Sequence, residues 1–134
     1  MNVLFFLLPK GKCQYAVETD TIRQVVEKME HHHYTAIPLL SKDGKYIKTI
    51  SDGDIFYHIK NNNIEYNKMN HHNILDVQES REIKAISISK SMESLVDLII
   101  NQNFVPVIDD QQTFIGIVTR KKVVEYLVKK YSLH

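Results

Sequence analysis

The sequence is poor in cysteine. Its 134 residues contain one, Cys13, so no intramolecular disulfide can form. Disulfides persist mainly in oxidising compartments, and a chain of this length buries enough surface to fold without covalent cross-links. We therefore expect a cytoplasmic protein. Cys13 is either a buried side chain or, beside Lys12, a thiol with a lowered pKa.

Long apolar runs are also lacking. A short one, Val3–Leu8, lies near the start and is far shorter than the ~20 residues that cross a bilayer. A secretory signal would add a basic start and a small-residue cleavage site, but Asn2 precedes this run and Pro9 ends it. The run is interpreted as a buried strand or helix start, with an oligomer interface as a further use. No membrane association is expected.

Net charge is nearly absent, since 17 Lys and Arg face 16 Asp and Glu. Nucleic-acid binding usually needs a basic excess, so no nucleic-acid partner is expected. The balance is not uniform along the chain. Between residues 119 and 130, five basic side chains accompany one acidic side chain, which leaves room for a local anion site.

What the sequence does have is an internal repeat. Residues 35–55 align with residues 103–123 without a gap at an offset of 68, and the prolines Pro38 and Pro106 coincide. Upstream, two apolar stripes recur with helical spacing, 70 residues apart: Ile22, Val25, Val26 and Met29, then Met92, Leu95, Val96 and Ile99. A duplication on this scale decides the architecture.

Each repeat is predicted to form strand, helix, strand, strand, helix, which is an α/β (α+β) fold. Helices are predicted to begin near Ile22 and Met92, capped by Asp20 or Thr21 and by Ser89 or Ser91, and closing helices at Ser51 and Thr119. The predicted strands are Gln14–Val17, Ala36–Leu40 and Tyr46–Ile50, then Ile83–Ser87, Val105–Ile108 and Phe114–Val118.

The chain is predicted to be one module, 1–134, with a first motif at 10–60 and a second at 79–131. The segment between them, 61–78, is predicted to be a surface connector with one short helix around Ile74–Val77. Neither half has a long hydrophobic run of its own. We expect the two halves to pack face to face around a pseudo-twofold axis.

The repeated pattern resembles a CBS motif: apolar-Pro-apolar, a hairpin, then Ser/Thr-x-x-Asp opening a helix. Two in tandem, spanning residues 10 to 130, resemble a CBS pair, or Bateman module. The resemblance implies βαββα motifs, disc-like dimers, and clefts between motifs that bind adenosine-containing ligands.

In the first motif, Ser51 and Asp54 form the Ser-x-x-Asp pattern. The resemblance implies that Asp54 binds ribose hydroxyls and that Ser51 lies near a phosphate. The same spacing is also that of a helix capping box, so capping alone is the competing interpretation.

In the second motif the helix start is basic: Thr119, Arg120, Lys121 and Lys122. Cations there oppose the helix dipole by about 0.3–1 kcal/mol each, whereas free N–H groups and cations suit a bound phosphate. A solvated basic face is the alternative. Lys122 stands where the family has its ribose-binding Asp, so one composite site is expected rather than two equivalent ones.

The resemblance places the adenine ring against the leading strand and the apolar-Pro strand. The candidate residues for this slot are Gln14, Tyr34, Thr35, Ala36, Ile37, Pro38 and Val105. Lys12, just ahead of the leading strand, either reaches a phosphate of the ligand or is solvated. Tyr34 either stacks on the base or belongs to the core.

A narrower resemblance joins this chain to the stand-alone CBS-pair proteins of Firmicutes that bind cyclic di-AMP. Those share Tyr-Thr-Ala-Ile-Pro, here residues 34–38, and a Thr-Arg-Arg helix start, where this chain has Lys121 last. AMP, ADP and ATP are the other candidate ligands.

Three functional hypotheses follow. The first is a non-catalytic regulatory module that binds an adenosine-containing ligand, forms a homodimer and signals to an unknown effector protein. The second is a structural or protein-interaction module without nucleotide. The third, an enzyme, lacks a recognisable nucleophile-base pair. No metal is expected, because the His clusters lack ligand spacing, and no cofactor is expected beside the regulatory adenine nucleotide.

Overall fold

The computed structural model describes residues 2–131. Its helices are α1 (Ile22–His32), α2 (Asp52–Asn61), α3 (Met92–Ile99) and α4 (Arg120–Lys130). Its strands are β1 (Leu8–Pro9), β2 (Ala16–Val17), β3 (Ala36–Leu40), β4 (Tyr46–Ser51), β5 (Ile86–Ser87), β6 (Phe104–Ile108) and β7 (Phe114–Thr119). The predicted mixed α+β fold is confirmed.

The chain divides into two compact units. One is Gln14–Glu82, and the other combines residues 2–13 with residues 83–131. We call them the first-repeat unit and the second-repeat unit. Each therefore contains one copy of the repeat.

The first-repeat unit has a three-stranded sheet in the order β2-β3-β4. β2 runs parallel to β3 and β3 antiparallel to β4. Helix α1 begins at a capping box in which Thr21 and Gln24 bond each other's backbone, and it ends at His33, a left-handed residue with φ 59°. Its buried stripe, Ile22, Val25 and Met29, joins the core of this unit.

The second-repeat unit has a four-stranded sheet in the order β1-β7-β6-β5. Its last three strands repeat the arrangement of the first sheet, and Ser91 caps α3 as Thr21 caps α1. The additional strand is β1, which pairs antiparallel with β7. The apolar N-terminal run is thus a short 3-10 helix, Val3–Phe6, followed by this strand.

The leading strands are shorter than predicted, because β2 begins at Ala16 and β5 at Ile86. In a parallel ladder the next carbonyls to be bonded, those of Gln14 and Lys84, would accept from the N–H of residues 38 and 106. Both of these residues are prolines, which have no N–H to donate. Each ladder therefore stops where its proline stands.

The segment 61–78 does not lie wholly at the surface, as the connector was predicted to, but the short helix predicted around Ile74–Val77 is present as the 3-10 helix Ile74–Asp76. Residues 61–78 contain two 3-10 helices, Tyr66–His71 and Ile74–Asp76. Four apolar side chains of the segment 61–78 are buried in the first-repeat core: Ile64, Met69, Ile74 and Val77. These residues are too irregularly spaced for a helical or strand pattern, so periodicity missed them.

Candidate functional site

The helix start of the first repeat is a complete capping box. The Ser51 hydroxyl accepts from the N–H of Asp54 at 3.0 Å, and the Asp54 carboxylate accepts from the N–H of Ser51, also at 3.0 Å. The second carboxylate oxygen accepts from the N–H of Ser80, again at 3.0 Å. Capping, one of the two sequence interpretations, is thus observed, and ribose binding by Asp54 stays a prediction.

These hydrogen bonds set the charge state of Asp54, which is buried. Burial alone is the largest influence and would raise the pKa of Asp54. The hydrogen bonds from Ser51 and Ser80 together outweigh burial and lower the pKa below its ordinary value. The carboxylate is therefore ionised and directed by its neighbours at neutral pH.

The helix start of the second repeat is built differently. Thr119 accepts from the N–H of Lys122 at 3.2 Å, but Lys122 cannot return a bond as Asp54 does. The Arg120 guanidinium instead turns to the end of α3. Its Nε donates to the carbonyl of Ile99 at 2.8 Å, and its Nη2 to the carbonyl of Ile100 at 3.3 Å.

Arg120 is completed by Asn103. Its Nη1 donates to the Asn103 side-chain oxygen at 2.9 Å, and its backbone N–H donates to the Asn103 carbonyl at 2.8 Å. The last carbonyls of a helix lack intrahelical donors and favour a cation. A cation at the start of α4 is therefore explained by the end of α3, which the sequence alone did not reveal.

Lys121 and Lys122 remain at the surface of this helix start. Lys121 lies 4.0 Å from Glu125 with 87% of its side chain exposed, too exposed and too distant for a strong ion pair. Both lysines are exposed. Of the two predicted anion-binding cations of the second motif, Arg120 hydrogen-bonds the protein, whereas Lys121 makes only a weak ion pair.

The predicted adenine-slot residues fall in both units. In the first-repeat unit, Ala36 pairs with Ser51 across β3 and β4, which brings the slot strand next to the helix start. Ile37 and Pro38 are buried, and Gln14 precedes β2. Lys12 and Val105 belong to the second-repeat unit, in a 3-10 helix (Lys10–Lys12) and in β6.

Sequence reasoning missed an apolar groove in the first-repeat unit. It has a volume of about 620 Å³ and lies between α1, α2 and the 3-10 helix Tyr66–His71. Tyr34, which is 38% exposed, lines this groove together with Phe56 and Tyr66. The exposure of Phe56 is visible only in the structure, and the connector's part in the groove wall was not predictable from spacing.

Cys13 is buried, and its sulfur lies 3.4 Å from the carbonyl oxygens of both Leu8 and Pro9, which share its single S–H donor. Burial raises the pKa of the Cys13 thiol, although a backbone hydrogen bond from Ile117 opposes the rise. The buried alternative is confirmed. A thiol with a raised pKa is a poor nucleophile at neutral pH.

Two further observations concern residues 2–131. Within them, no group of three or more His, Cys, Asp or Glu side chains is placed to hold a metal ion. In the same range, no helix is long and apolar enough to cross a membrane.

Comparison with solved structures gives three close likenesses in fold. CbpB in complex with c-di-AMP is 24% identical with a TM-score of 0.89, covering 96% of this chain and 85% of that chain. The Listeria monocytogenes CbpB complex with c-di-AMP is 23% identical with a TM-score of 0.85, covering 98% of each chain. A hypothetical conserved protein of Geobacillus kaustophilus is 27% identical with a TM-score of 0.86, covering 97% of this chain and 98% of that one.

No curated protein matches the sequence. The family model described as the CBS domain matches residues 10–61 and 75–129, one segment in each repeat. Together these segments take in most of the chain, and the protein belongs to the CBS domain family.

Proposed function

We propose that this CBS pair is a non-catalytic regulatory module that binds an adenosine-containing ligand. The observation that carries the proposal is the duplicated motif in a chain whose fold matches CbpB bound to c-di-AMP. Cyclic di-AMP is the first candidate ligand, and AMP, ADP and ATP are the others.

The chemistry of the two helix starts supports this proposal. Asp54 offers an ionised carboxylate beside β3, where Ala36, Ile37 and Pro38 lie. Thr119 and the exposed Lys121 offer a hydroxyl and a cation at a helix N-terminus, which favours phosphate. The first helix start suits a ribose and the second suits a phosphate.

The proposed output passes through other molecules. A module of this kind acts by changing its own oligomer state, here a homodimer, or by binding a separate effector protein in the cytoplasm. The apolar groove beside Phe56 offers a surface for protein contact.

Calorimetry with cyclic di-AMP, AMP, ADP, ATP and adenosine tests the proposal. We expect a phosphorylated ligand to bind at least about tenfold more tightly than adenosine, because one charge-assisted contact contributes roughly 1.5–3 kcal/mol. Lys121→Ala should remove most of that advantage and leave adenosine binding unchanged.

The matched control is Lys129→Ala, since Lys129 is an exposed lysine at the other end of the same helix. Equal losses from Lys121→Ala and Lys129→Ala would show that only the overall charge matters. Absence of heat with all five compounds at high protein concentration would overturn the proposal.

The second candidate function is a protein-interaction module without nucleotide. Arg120 favours it, since three of its guanidinium contacts go to the protein itself. A melting temperature that no nucleotide changes, with a stable dimer by light scattering, would support this alternative.

A further inference from the structure

Gln102 is a buried polar residue of the second-repeat unit, with 5% of its surface exposed. It stands two residues before Phe104, the first residue of β6, just as Tyr34 stands two residues before Ala36 in the first repeat. A buried amide needs hydrogen-bond partners, and the contacts of Gln102 identify what it replaces.

All three contacts go to backbone groups at the point where the ladder of β5 and β6 stops. The side-chain oxygen of Gln102 accepts from the N–H of Lys84 at 2.9 Å. Its side-chain nitrogen donates to the carbonyl of Lys84 at 3.0 Å and to that of Phe104 at 3.2 Å. Without Pro106, the Lys84 carbonyl would have a ladder donor.

The first repeat has the same interrupted ladder without an amide in it. Ala16 and Ile86 are equivalent in the two ladders, so Gln14 corresponds to Lys84 and Ala36 to Phe104. Within residues 2–131, neither backbone group of Gln14 has a hydrogen-bond partner. The N–H of Asp52 donates to Thr35 at 2.9 Å, so the polar groups of Ala36 face away from β4, towards the β2 side.

A primary amide and the adenine edge carry the same pattern, an NH₂ donor beside an acceptor. In the second repeat, the C=O and N–H of Lys84 both hydrogen-bond the Gln102 amide. The equivalent C=O and N–H of Gln14 can read the amine and a ring nitrogen of adenine in the same way.

We infer that Gln102 occupies, as an internal substitute for adenine, the second of two equivalent base slots. Of these two equivalent slots, the one formed by the backbone of Gln14 and Ala36 is open. Gln102 determines how many adenines bind in such slots. This inference rests on the proposed adenosine-ligand function and assigns the base-reading atoms within it.

The first test uses the unaltered full chain, labelled with ¹⁵N and titrated with adenosine. We expect the amide signal of Gln14 to shift with saturation and that of Lys84 to stay in place. A Lys84 signal that shifts with the same dissociation constant would overturn the inference. If adenosine shifts other amides but not that of Gln14, the inference fails while the function stands. A spectrum that stays unchanged with adenosine and also with cyclic di-AMP, AMP, ADP and ATP refutes both.

The second test removes the internal amide. Gln102→Ala should raise the calorimetric stoichiometry from one adenosine per chain to two, and adenosine should raise its melting temperature more than that of the unaltered chain. Gln102→Leu is the control, because it keeps most of the side-chain volume without the amide and should still bind one. A stoichiometry of one for a folded Gln102→Ala chain would contradict the inference, and the first test decides the matter if that variant does not fold.

Discussion

Asp52 and Arg120 occupy equivalent positions, 68 residues apart, at the first residue of a closing helix. The negative charge of Asp52 is favourable at a helix N-terminus, and its carboxylate accepts a hydrogen bond from the N–H of Gly53 at 2.7 Å. The positive charge of Arg120 is unfavourable at the same position. It is stabilised instead by hydrogen bonds from its guanidinium to the carbonyls of Ile99 and Ile100 at the end of α3. The same fold position is thus satisfied locally in one repeat and through a tertiary contact in the other.

The same contrast appears at positions 48 and 116. In the first-repeat unit, the Lys48 ammonium donates to the carbonyl of Val77 at 2.6 Å and so holds the segment that follows α2. In the second-repeat unit, Gly116 pairs backbone to backbone with Pro9. In the first repeat a side chain holds the neighbouring segment, whereas in the second repeat a direct pair of strands holds it. The predictions below distinguish the two arrangements.

Gly116→Ala should have the largest effect. A Cβ at this position would overlap the carbonyl oxygen of Leu8 and crowd the side chain of Leu7, so β1 has to move away from β7. We expect a loss of more than about 2 kcal/mol in unfolding free energy by urea denaturation. Lys48→Ala, the equivalent change in the first repeat, should cost about 1 kcal/mol, and equal costs would contradict the distinction.

Arg120→Lys should have the second largest effect. Lysine keeps the charge but not the planar fork that bonds Ile99, Ile100 and Asn103 together, so we expect a loss of about 1–2 kcal/mol. Hydrogen exchange should quicken at the end of α3. Asp52→Asn retains its local acceptor and should change stability by less than about 0.5 kcal/mol; a similar loss in both variants would mean that Arg120 acts only by its charge.

Asp54→Asn should have the smallest effect, and it should depend on pH. Because the folded protein lowers the pKa of Asp54, the carboxylate contributes stability above its unfolded pKa of ~4, and this stability is lost as pH falls through the folded pKa. We expect Asp54→Asn to cost about 1 kcal/mol at pH 7 and progressively less in acid, by thermal unfolding. Lys122→Asn, at the equivalent position, should show no such acid dependence; a cost independent of pH for Asp54→Asn would refute the charge argument.

Much of the fold was predictable because it depends on residues that lie close together in sequence. The stripe Ile22, Val25 and Met29 repeats every three to four residues, and Thr21 and Ser51 stand at helix starts, so periodicity and capping located the helices. The site was predicted less completely. Ser51 and Asp54 follow a short local pattern, whereas the partners of Asp54 and Arg120 at Ser80 and Ile99 lie 26 and 21 residues away.

The sequence by itself determined the duplication, the class of fold and the helix starts, because matched spacing and caps act over a few residues. Only the tertiary structure decided where polar groups without local partners would find them. Pro106 removes a ladder donor, yet nothing near it in sequence indicates that Gln102 fills the gap. A backbone group remains open to a ligand where no long-range hydrogen bond satisfies it. Those hydrogen bonds depend on how the chain is folded.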